Sequence, residues 1–176
     1  VTISAVAETA PIDGDADDPA IWVHPTDPAR SLIFGTDKTA GLYVFGIDGS
    51  LVTFFEDGEV NNVDIRPFTL AGEQVWLVST AERDKEELIF YVIRADGSVE
   101  RASPFAFPPV PDALADRVKY VYGSAMMRNP ETGQVYAAVN YKSGDIIQWE
   151  VRDTGGQLAL EFVRHLKVDT QPEGVV

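Results

Sequence analysis

Short hydrophobic runs alternate with polar turns along most of the chain, a pattern typical of β-strands rather than helices. The turns between the runs contain Gly, Asp, Asn or Pro. The predicted strands are 20–23, 32–36, 42–47, 51–55, 63–67, 75–80, 88–93, 98–100, 121–127, 135–140, 146–151 and 158–163. Only residues 111–119 have the pattern of a helix, and it would be short. The sequence therefore predicts an all-β protein.

The predicted strands recur as a unit of four in the same order. The last two strands of each unit are separated by Asp48-Gly49, Asp96-Gly97 or Gly155-Gly156, and these dipeptides suit the positive φ angles of hairpin turns. A period of roughly fifty residues with four strands per repeat is typical of β-propeller blades. A two-sheet sandwich would explain the number of strands, but it would not explain the repeated order of turns. We therefore predict a β-propeller of four-stranded antiparallel blades.

The chain holds about three such blades, and residues 171–176 resemble the first strand of a fourth. Three blades do not close a ring, so their flanks would be open. We expect residues 1–176 to be the N-terminal part of a single propeller domain, closed by a C-terminal half or by a second chain. No signal peptide is visible and residue 1 is valine, so the sequence is interpreted as a processed or trimmed segment.

Composition narrows the range of functions. The chain has 28 acidic and 14 basic residues and a formal net charge of −14, which argues against nucleic acid or a membrane surface as a partner. The absence of cysteine excludes disulfides, thiolate metal sites and thiol nucleophiles. No apolar run reaches membrane-spanning length. An anionic substrate would need a bridging cation or a local basic cluster.

An acidic tract carries the most chemical information in the chain. Asp13, Asp15, Asp17 and Asp18 immediately precede the apolar strand at 20–23. Neighbouring carboxylates repel one another, and burying one without a partner is costly. The tract is therefore either fully solvated or neutralised by a cation, and closely spaced oxygen ligands suit calcium best. The residues alone leave both alternatives open.

Five motifs together resemble those of the β-propeller phytases, in the same order along the chain. The motifs are residues 15–22, 35–38 with 41–42, 61–66, 121–123 and 170–174. The resemblance covers essentially the whole chain. It implies a six-bladed propeller, secreted by bacteria to the extracellular or periplasmic space, that binds several calcium ions and removes phosphate from phytate, myo-inositol hexakisphosphate. Members of the family are about twice as long, so this chain resembles the N-terminal half.

The resemblance also implies roles for individual polar residues. The implied calcium ligands are Glu8, Asp17, Asp18, Asn62, Asp64 and Glu173. Tyr122 and Glu173 are the implied catalytic residues, with Tyr122 next to the metal and the phosphate. Side chains of a strand alternate with period two, so Asn62 and Asp64 would share one face. By themselves, these residues also fit a turn and strand cap at Asn61-Asn62, packing by Tyr122 and an exposed loop at Glu173.

Three basic residues are the implied phosphate contacts. Lys38, Arg83 and Lys142 follow corresponding strands of successive units, so we expect them at one face of the propeller. Arginine offers a planar fork that matches phosphate oxygens, and lysine offers a point charge. Lys142 alone would also fit a solvated surface charge. Thr39 departs from the family pattern, in which some members carry a second lysine, and this weakens the expected hold on a second phosphate.

The resulting hypothesis is calcium-dependent hydrolysis of phosphomonoesters of phytate, in which a metal-activated water attacks phosphorus in line. The alternative is an incomplete, non-catalytic module that binds phytate or calcium and assists a complete domain. A different propeller enzyme, such as a lactonase, would spread its metal ligands singly over the blades. The dense acidic tract argues against that third interpretation.

Overall fold

The computed structural model describes residue 4 and residues 7–102 and 110–174. Almost all of the regular structure in these residues is β-strand, as predicted. The strands are β1 Ala16–Trp22, β2 Leu32–Asp37, β3 Gly41–Gly46, β4 Leu51–Phe55, β5 Val60–Leu70, β6 Glu73–Glu82, β7 Glu87–Ile93, β8 Val99–Arg101, β9 Val121–Arg128, β10 Val135–Tyr141, β11 Asp145–Asp153 and β12 Leu158–Lys167. The predicted helix is reduced to one turn, α1 (Asp112–Ala115), besides a 3₁₀ turn at Pro28–Arg30.

The described strands form three four-stranded sheets, each a simple antiparallel meander. Blade 1 comprises β1–β4, blade 2 comprises β5–β8 and blade 3 comprises β9–β12. Strand β5 contacts both β1 and β9, so the first strands of the blades lie side by side. The prediction of four-stranded propeller blades is confirmed. Residues 171–174 form no strand, and residues 175–176 of the expected fourth blade lie outside the described residues.

The hairpin turns use glycine where the backbone requires it. The loop between β3 and β4 is closed by the Gly46 N–H donating to the Ser50 carbonyl at 2.8 Å, and Gly49 lies in the left-handed region with φ 84°. Asp48 accepts a hydrogen bond from the Ser50 N–H at 3.0 Å. Gly97 has the same φ of 84°. A short hairpin loop with a left-handed glycine matches the twist of the strands that it joins.

The hydrophobic core lies between the blades rather than within any one of them. Among the described residues, one cluster joins blades 1 and 2, and its large members are Trp22, Phe34, Leu42, Ile89 and Tyr91. A second cluster joins blades 2 and 3, and its large members are Leu77, Phe90, Met126, Ile147 and Trp149. Burial of these side chains is the main force that holds neighbouring blades together.

The two outer sheet faces keep apolar side chains exposed. On blade 1 these are Ile21, Val23 and Leu51, and on blade 3 they are Met127 and Leu166. The most exposed of them, Val23, is 65% accessible. Large exposed apolar patches mark surfaces that pack against another partner.

Blade 3 is further tied together by one buried carboxylate. Asp145, at the start of β11, is 1% exposed and accepts hydrogen bonds from Ser143 at 2.7 Å and from Lys167 at 3.0 Å. His165 Nε2 lies 2.7 Å from the same carboxylate, and an Arg117 nitrogen lies 3.5 Å away. These contacts link β11 to the end of β12 and to the segment after α1. Elsewhere, no helix of the described residues is long and apolar enough to cross a membrane.

Candidate metal and phosphate site

A polar pocket lies where the first strands of the three blades begin. It has a volume of about 130 Å³. Its lining residues are Asp17, Asp18, Lys38, Asn61, Asn62, Tyr122, Glu173 and Gly174. Strands β1, β5 and β9, the β2–β3 turn and the segment after β12 all contribute. The fold thus brings six of the sequence-predicted site residues to one place, although they are widely separated along the chain.

The acidic tract enters the pocket through an ion pair. Lys38 Nζ lies 2.6 Å from Asp17 Oδ1, and both side chains remain about a quarter exposed. The hydrogen bond to Asp17 raises the pKa of Lys38, against the smaller opposing effect of burial. The Lys38 N–H also donates to the Asp15 carbonyl at 2.9 Å, which fixes the turn beside the tract. Because the pair is partly solvated, either partner can exchange it for another ion at low cost.

Asp18 both faces the pocket and fastens two blades. The β1–β2 register shifts between Ala16 and Pro19, and such a bulge re-aims side chains. The Asp18 N–H donates to Thr36 Oγ1 at 3.0 Å, and Thr36 Oγ1 donates back to the Asp18 carbonyl at 3.2 Å. Asp18 Oδ2 accepts the N–H of Val63, in blade 2, at 3.0 Å. One carboxylate oxygen is therefore committed to holding β5.

The two asparagines at the start of β5 fasten blade 2 to blade 3. Asn61 Nδ2 donates to the carbonyl of Tyr122, and Asn62 Oδ1 accepts the N–H of Ser124 at 3.2 Å. Both asparagines lie within β5 instead of in the turn that they fit by themselves. Asn61 Oδ1 is buried and has no hydrogen-bond partner in the described part of the chain. A buried orphan acceptor in a pocket is a natural position for a cation or a water.

Two predicted metal ligands lie away from this pocket. Asp64 forms an ion pair with Arg66 and accepts the N–H of Met126 at 2.7 Å. Glu8 is exposed, and its carbonyl packs on the β3–β4 turn, where a Cβ on Gly49 would approach it to 2.0 Å. Neither lines the pocket formed by the described residues, so their metal role stays a prediction.

The predicted catalytic pair is in hydrogen-bond contact. The Tyr122 hydroxyl donates to Glu173 Oε1 at 3.3 Å. Lys142 Nζ lies 5.1 Å from the centroid of the Tyr122 ring, in the geometry of a cation–π contact. The phenol is thus held between a carboxylate and an ammonium, with its ring partly buried.

The three predicted phosphate contacts lie at one end of the sheets. Lys38, Arg83 and Lys142 directly follow the ends of β2, β6 and β10. The Arg83 guanidinium donates to the Lys38 carbonyl at 3.3 Å and to Glu59 at 3.2 Å. The basic residues therefore form a rim beside the acidic pocket, as their equivalent positions in the blades predict.

The oxygen atoms that line the pocket suit a hard cation as ligands. Carboxylate and amide oxygens are the ligands that calcium prefers, and the orphan oxygen of Asn61 has no other use in the described structure. In this arrangement no three acidic or histidine side chains of the described residues converge on one point. Closing on an ion requires the Asp17 carboxylate to turn away from Lys38.

Sequence reasoning missed Asn61 and Asn140. Asn140 donates hydrogen bonds to the carbonyls of Pro172 and Glu173, but a single polar residue near the end of a predicted strand gives no sign of such a role. Asn61 stands beside a predicted ligand, and the only available signal was the rarity of two adjacent asparagines at the start of a strand.

The adjoining first strands of the blades identify the fold as a β-propeller. Its oxygen-rich pocket suits a cation, and the basic residues on the rim suit an anion. The phytase family model matches residues 1–176. A 3-phytase of Bacillus subtilis (strain 168) is 35% identical over 179 residues, which cover 99% of this chain and 46% of the relative. The chain belongs to the phytase family. It spans about half the length of the curated relative it matches.

Proposed function

We propose that this protein is a calcium-dependent phosphoric monoester hydrolase that releases inorganic phosphate from phytate. The observation that carries the proposal is the single pocket shared by Asp17, Asp18, Asn62, Tyr122 and Glu173, with Lys38 in its wall. Family membership supports the same substrate class. A chain with a net charge of −14 can accept a polyanion when cations lie between the two.

The charged residues of the pocket and its tyrosine each have a definite task in this proposal. Asp17, Asp18 and Glu173 hold calcium, and the Tyr122 hydroxyl orients the Glu173 carboxylate by donating to it. Calcium, when bound, supplies charge that neutralises phosphate oxygens and favours ionisation of a water. Lys38 neutralises Asp17 in the structure described. Once Asp17 turns to a cation, the Lys38 ammonium becomes available to a phosphate oxygen.

The remaining basic residues bind the phosphates that are not being cleaved. The planar fork of Arg83 suits two phosphate oxygens, and Lys142 offers a mobile point charge. Both follow strand ends at the same edge as Lys38, so one large polyanion could span all three residues. The in-line attack by water then takes place on the phosphate that lies closest to the carboxylates.

The first prediction concerns removal of the metal. The 176-residue chain should release phosphate from phytate in calcium, lose that activity in excess EDTA, and recover it when calcium is restored, because the carboxylate pocket needs a cation to accept phosphate. Colorimetric phosphate measurement in the three conditions tests this. Full release in EDTA would contradict metal dependence. No release in any condition, with phytate binding retained in calorimetry, would contradict hydrolysis by this chain and favour the binding module.

The proposed partners are phytate or another inositol phosphate, with no nucleic acid and no membrane. We also propose that a sheet from a C-terminal half, or from a second chain, covers the open faces of blades 1 and 3. The exposed apolar residues on those faces support this arrangement, with residues 1–176 as the N-terminal part of one domain.

The second prediction tests these faces. The isolated chain should associate with rising concentration, because each open sheet face exposes apolar surface to water. Replacing Val23 and Met127 together with lysine should weaken the association about tenfold or more, while the control Val168→Lys, beyond the end of β12, should leave it unchanged. Sedimentation velocity measures both. A monomer at every concentration, or equal effects of the two variants, would contradict the proposal.

We propose a location outside the cytoplasm, extracellular or periplasmic, as the resemblance implies. A partly exposed pocket whose carboxylates do not converge on one point should bind calcium weakly. Weak calcium sites, with dissociation constants on the order of 10⁻⁴–10⁻³ M, are typical of extracellular modules.

A further inference from the structure

Asn140 is fully buried near the end of β10 and joins three segments through one amide group. Its Oδ1 accepts the N–H of Gly123, in β9. Its Nδ2 donates to the carbonyl of Pro172 at 3.3 Å and to the carbonyl of Glu173 at 3.2 Å. One side chain thus connects the second strand of blade 3, the inner strand of the same blade, and the segment that carries Glu173.

The chemistry of the neighbours fixes the orientation of this amide. A flipped Asn140 would set its NH₂ against the Gly123 N–H and its oxygen against two carbonyl oxygens. Both contacts would be repulsive at a site with no exposure to water. Only the observed orientation satisfies all the groups, and a fully satisfied buried amide rigidifies what it connects.

The same point is packed too tightly for any residue but glycine at position 123. A Cβ on Gly123 would lie 2.5 Å from Asn62 Oδ1, 2.7 Å from the Glu173 carbonyl oxygen and 3.0 Å from Asn140 Oδ1. The backbone of Glu173 is therefore held beside Asn62, a residue that lines the pocket from blade 2. Asn140 is what secures it there, because Gly123 supplies only the space.

Blade 1 shows what the corresponding position does without this connection. Thr36 is the penultimate residue of β2, and Asn140 is the penultimate residue of β10. They pair with Leu42 and Ile146 respectively. Both are buried, and both accept an N–H from the inner strand of their own blade. The single hydroxyl of Thr36 donates to the Asp18 carbonyl in its own blade. The amide of Asn140 has a donor as well as an acceptor, and the donor reaches the Glu173 carbonyl beyond the end of β12.

We propose that Asn140 is a positioning residue for Glu173: it fixes the backbone of residues 172–173 so that the Glu173 carboxylate stays against the Tyr122 hydroxyl and inside the pocket. The inference rests on the proposed function, in which Glu173 holds calcium. Glu173 itself is exposed and lies in a segment without regular structure. Without the amide contact, the conformational entropy lost in ordering that segment would weaken calcium binding.

The test replaces Asn140 with threonine, the residue that blade 1 has at the corresponding position. Asn140→Thr keeps an acceptor for the Gly123 N–H and removes the donors to Pro172 and Glu173. We expect the calcium concentration for half-maximal binding, measured with the whole chain by calorimetry, to rise about tenfold or more, as is usual when a partner behind a metal ligand is lost. Tyr136→Phe is the control, since it removes a hydroxyl from the opposite end of β10 and should leave the calcium midpoint unchanged.

The phytase readout separates positioning from general damage. With Asn140→Thr, phosphate release should fall at limiting calcium and recover toward the wild-type rate at saturating calcium, because the variant weakens metal binding rather than the chemistry. A loss that saturating calcium does not reverse, in a variant that melts like wild type in EDTA, would overturn the proposal. If Asn140→Thr does not fold, Asn140→Ser serves the same comparison with a smaller side chain.

Hydrogen exchange distinguishes failure of this inference from failure of the proposed function. In EDTA, the amides of residues 169–171, 173 and 174 should exchange faster in Asn140→Thr than in wild type or Tyr136→Phe, whatever the activity. Faster exchange in a chain that neither binds calcium nor releases phosphate would support the contact between Asn140 and residues 172–173. It would contradict only the catalytic role of Glu173. Unchanged exchange together with an unchanged calcium midpoint in an active chain would overturn the inference.

Discussion

Replacing Asp18 with alanine should lower calcium-dependent phosphate release by at least about 100-fold. Losing a group that only supports a metal ligand already costs about 10- to 100-fold, and Asp18 is a proposed ligand in its own right. The same carboxylate accepts the N–H of Val63 at 3.0 Å. The substitution therefore removes charge from the pocket and also a hydrogen bond that joins blades 1 and 2.

Two further variants separate these effects of Asp18, measured by initial rates over a calcium titration. Asp13→Ala removes the same charge from the same acidic tract outside the pocket, and it should leave the rate within about twofold of wild type. Asp18→Asn keeps an acceptor for Val63 but loses the charge, so it should be nearly as inactive as Asp18→Ala and more stable. Equal rates for Asp13→Ala and Asp18→Ala would show that the pocket does not hold the catalytic calcium.

The second large effect concerns stability at blade 3. Burial by itself raises the pKa of Asp145, but hydrogen bonds from Ser143, Lys167 and His165 and the charge of Lys167 outweigh it and lower the pKa from 3.8 to about 2. A lowered pKa in the folded state means that the ionised carboxylate stabilises the fold. Its contribution is fully present above the unfolded value and disappears as the pH falls from there toward the folded one.

Asp145→Asn should therefore reduce the free energy of unfolding by about 2 kcal/mol at pH 7, after allowing for the solvent around the partly exposed Lys167. The difference from wild type should shrink below about pH 4 and be lost as the pH falls through about 2. Urea unfolding followed by fluorescence at several pH values measures it. Asp48→Asn, on the exposed β3–β4 turn, is the matched control and should change stability by less than about 0.5 kcal/mol. A pH-independent loss in Asp145→Asn would contradict this electrostatic account.

Much of the fold was predictable because its determinants are local. Alternating apolar positions and Asp-Gly turns act over a few residues, and both survive in the structure as strands and left-handed glycines. The main error was in strand length. Strand β5 begins at Val60, before the predicted start, because the side chains of Asn61 and Asn62 bind the backbone of β9. No local pattern in the sequence identifies β9 as the partner of these two asparagines.

The site was predictable in its composition and less so in its geometry. The acidic tract and the basic residues after the second strands lie at one end of the blades, as expected. Asp64 instead pairs with Arg66, a neighbour two positions along the same strand. Period two puts both side chains on one face, so the sequence held a signal for this pair. Glu8 lies before the first strand, where no strand period fixes the direction of its side chain.

The sequence by itself determined the strands, their order in three blades and the kinds of side chain available to the site. Those features follow from hydrophobic periodicity, turn chemistry and charge, which are properties of short segments. The tertiary structure alone decided which side chains meet: Asp17 with Lys38, Asp18 with Val63, and Asn140 with Glu173, 33 residues away. Such contacts depend on how the sheets pack against one another, and that packing is set by the whole core rather than by any one segment.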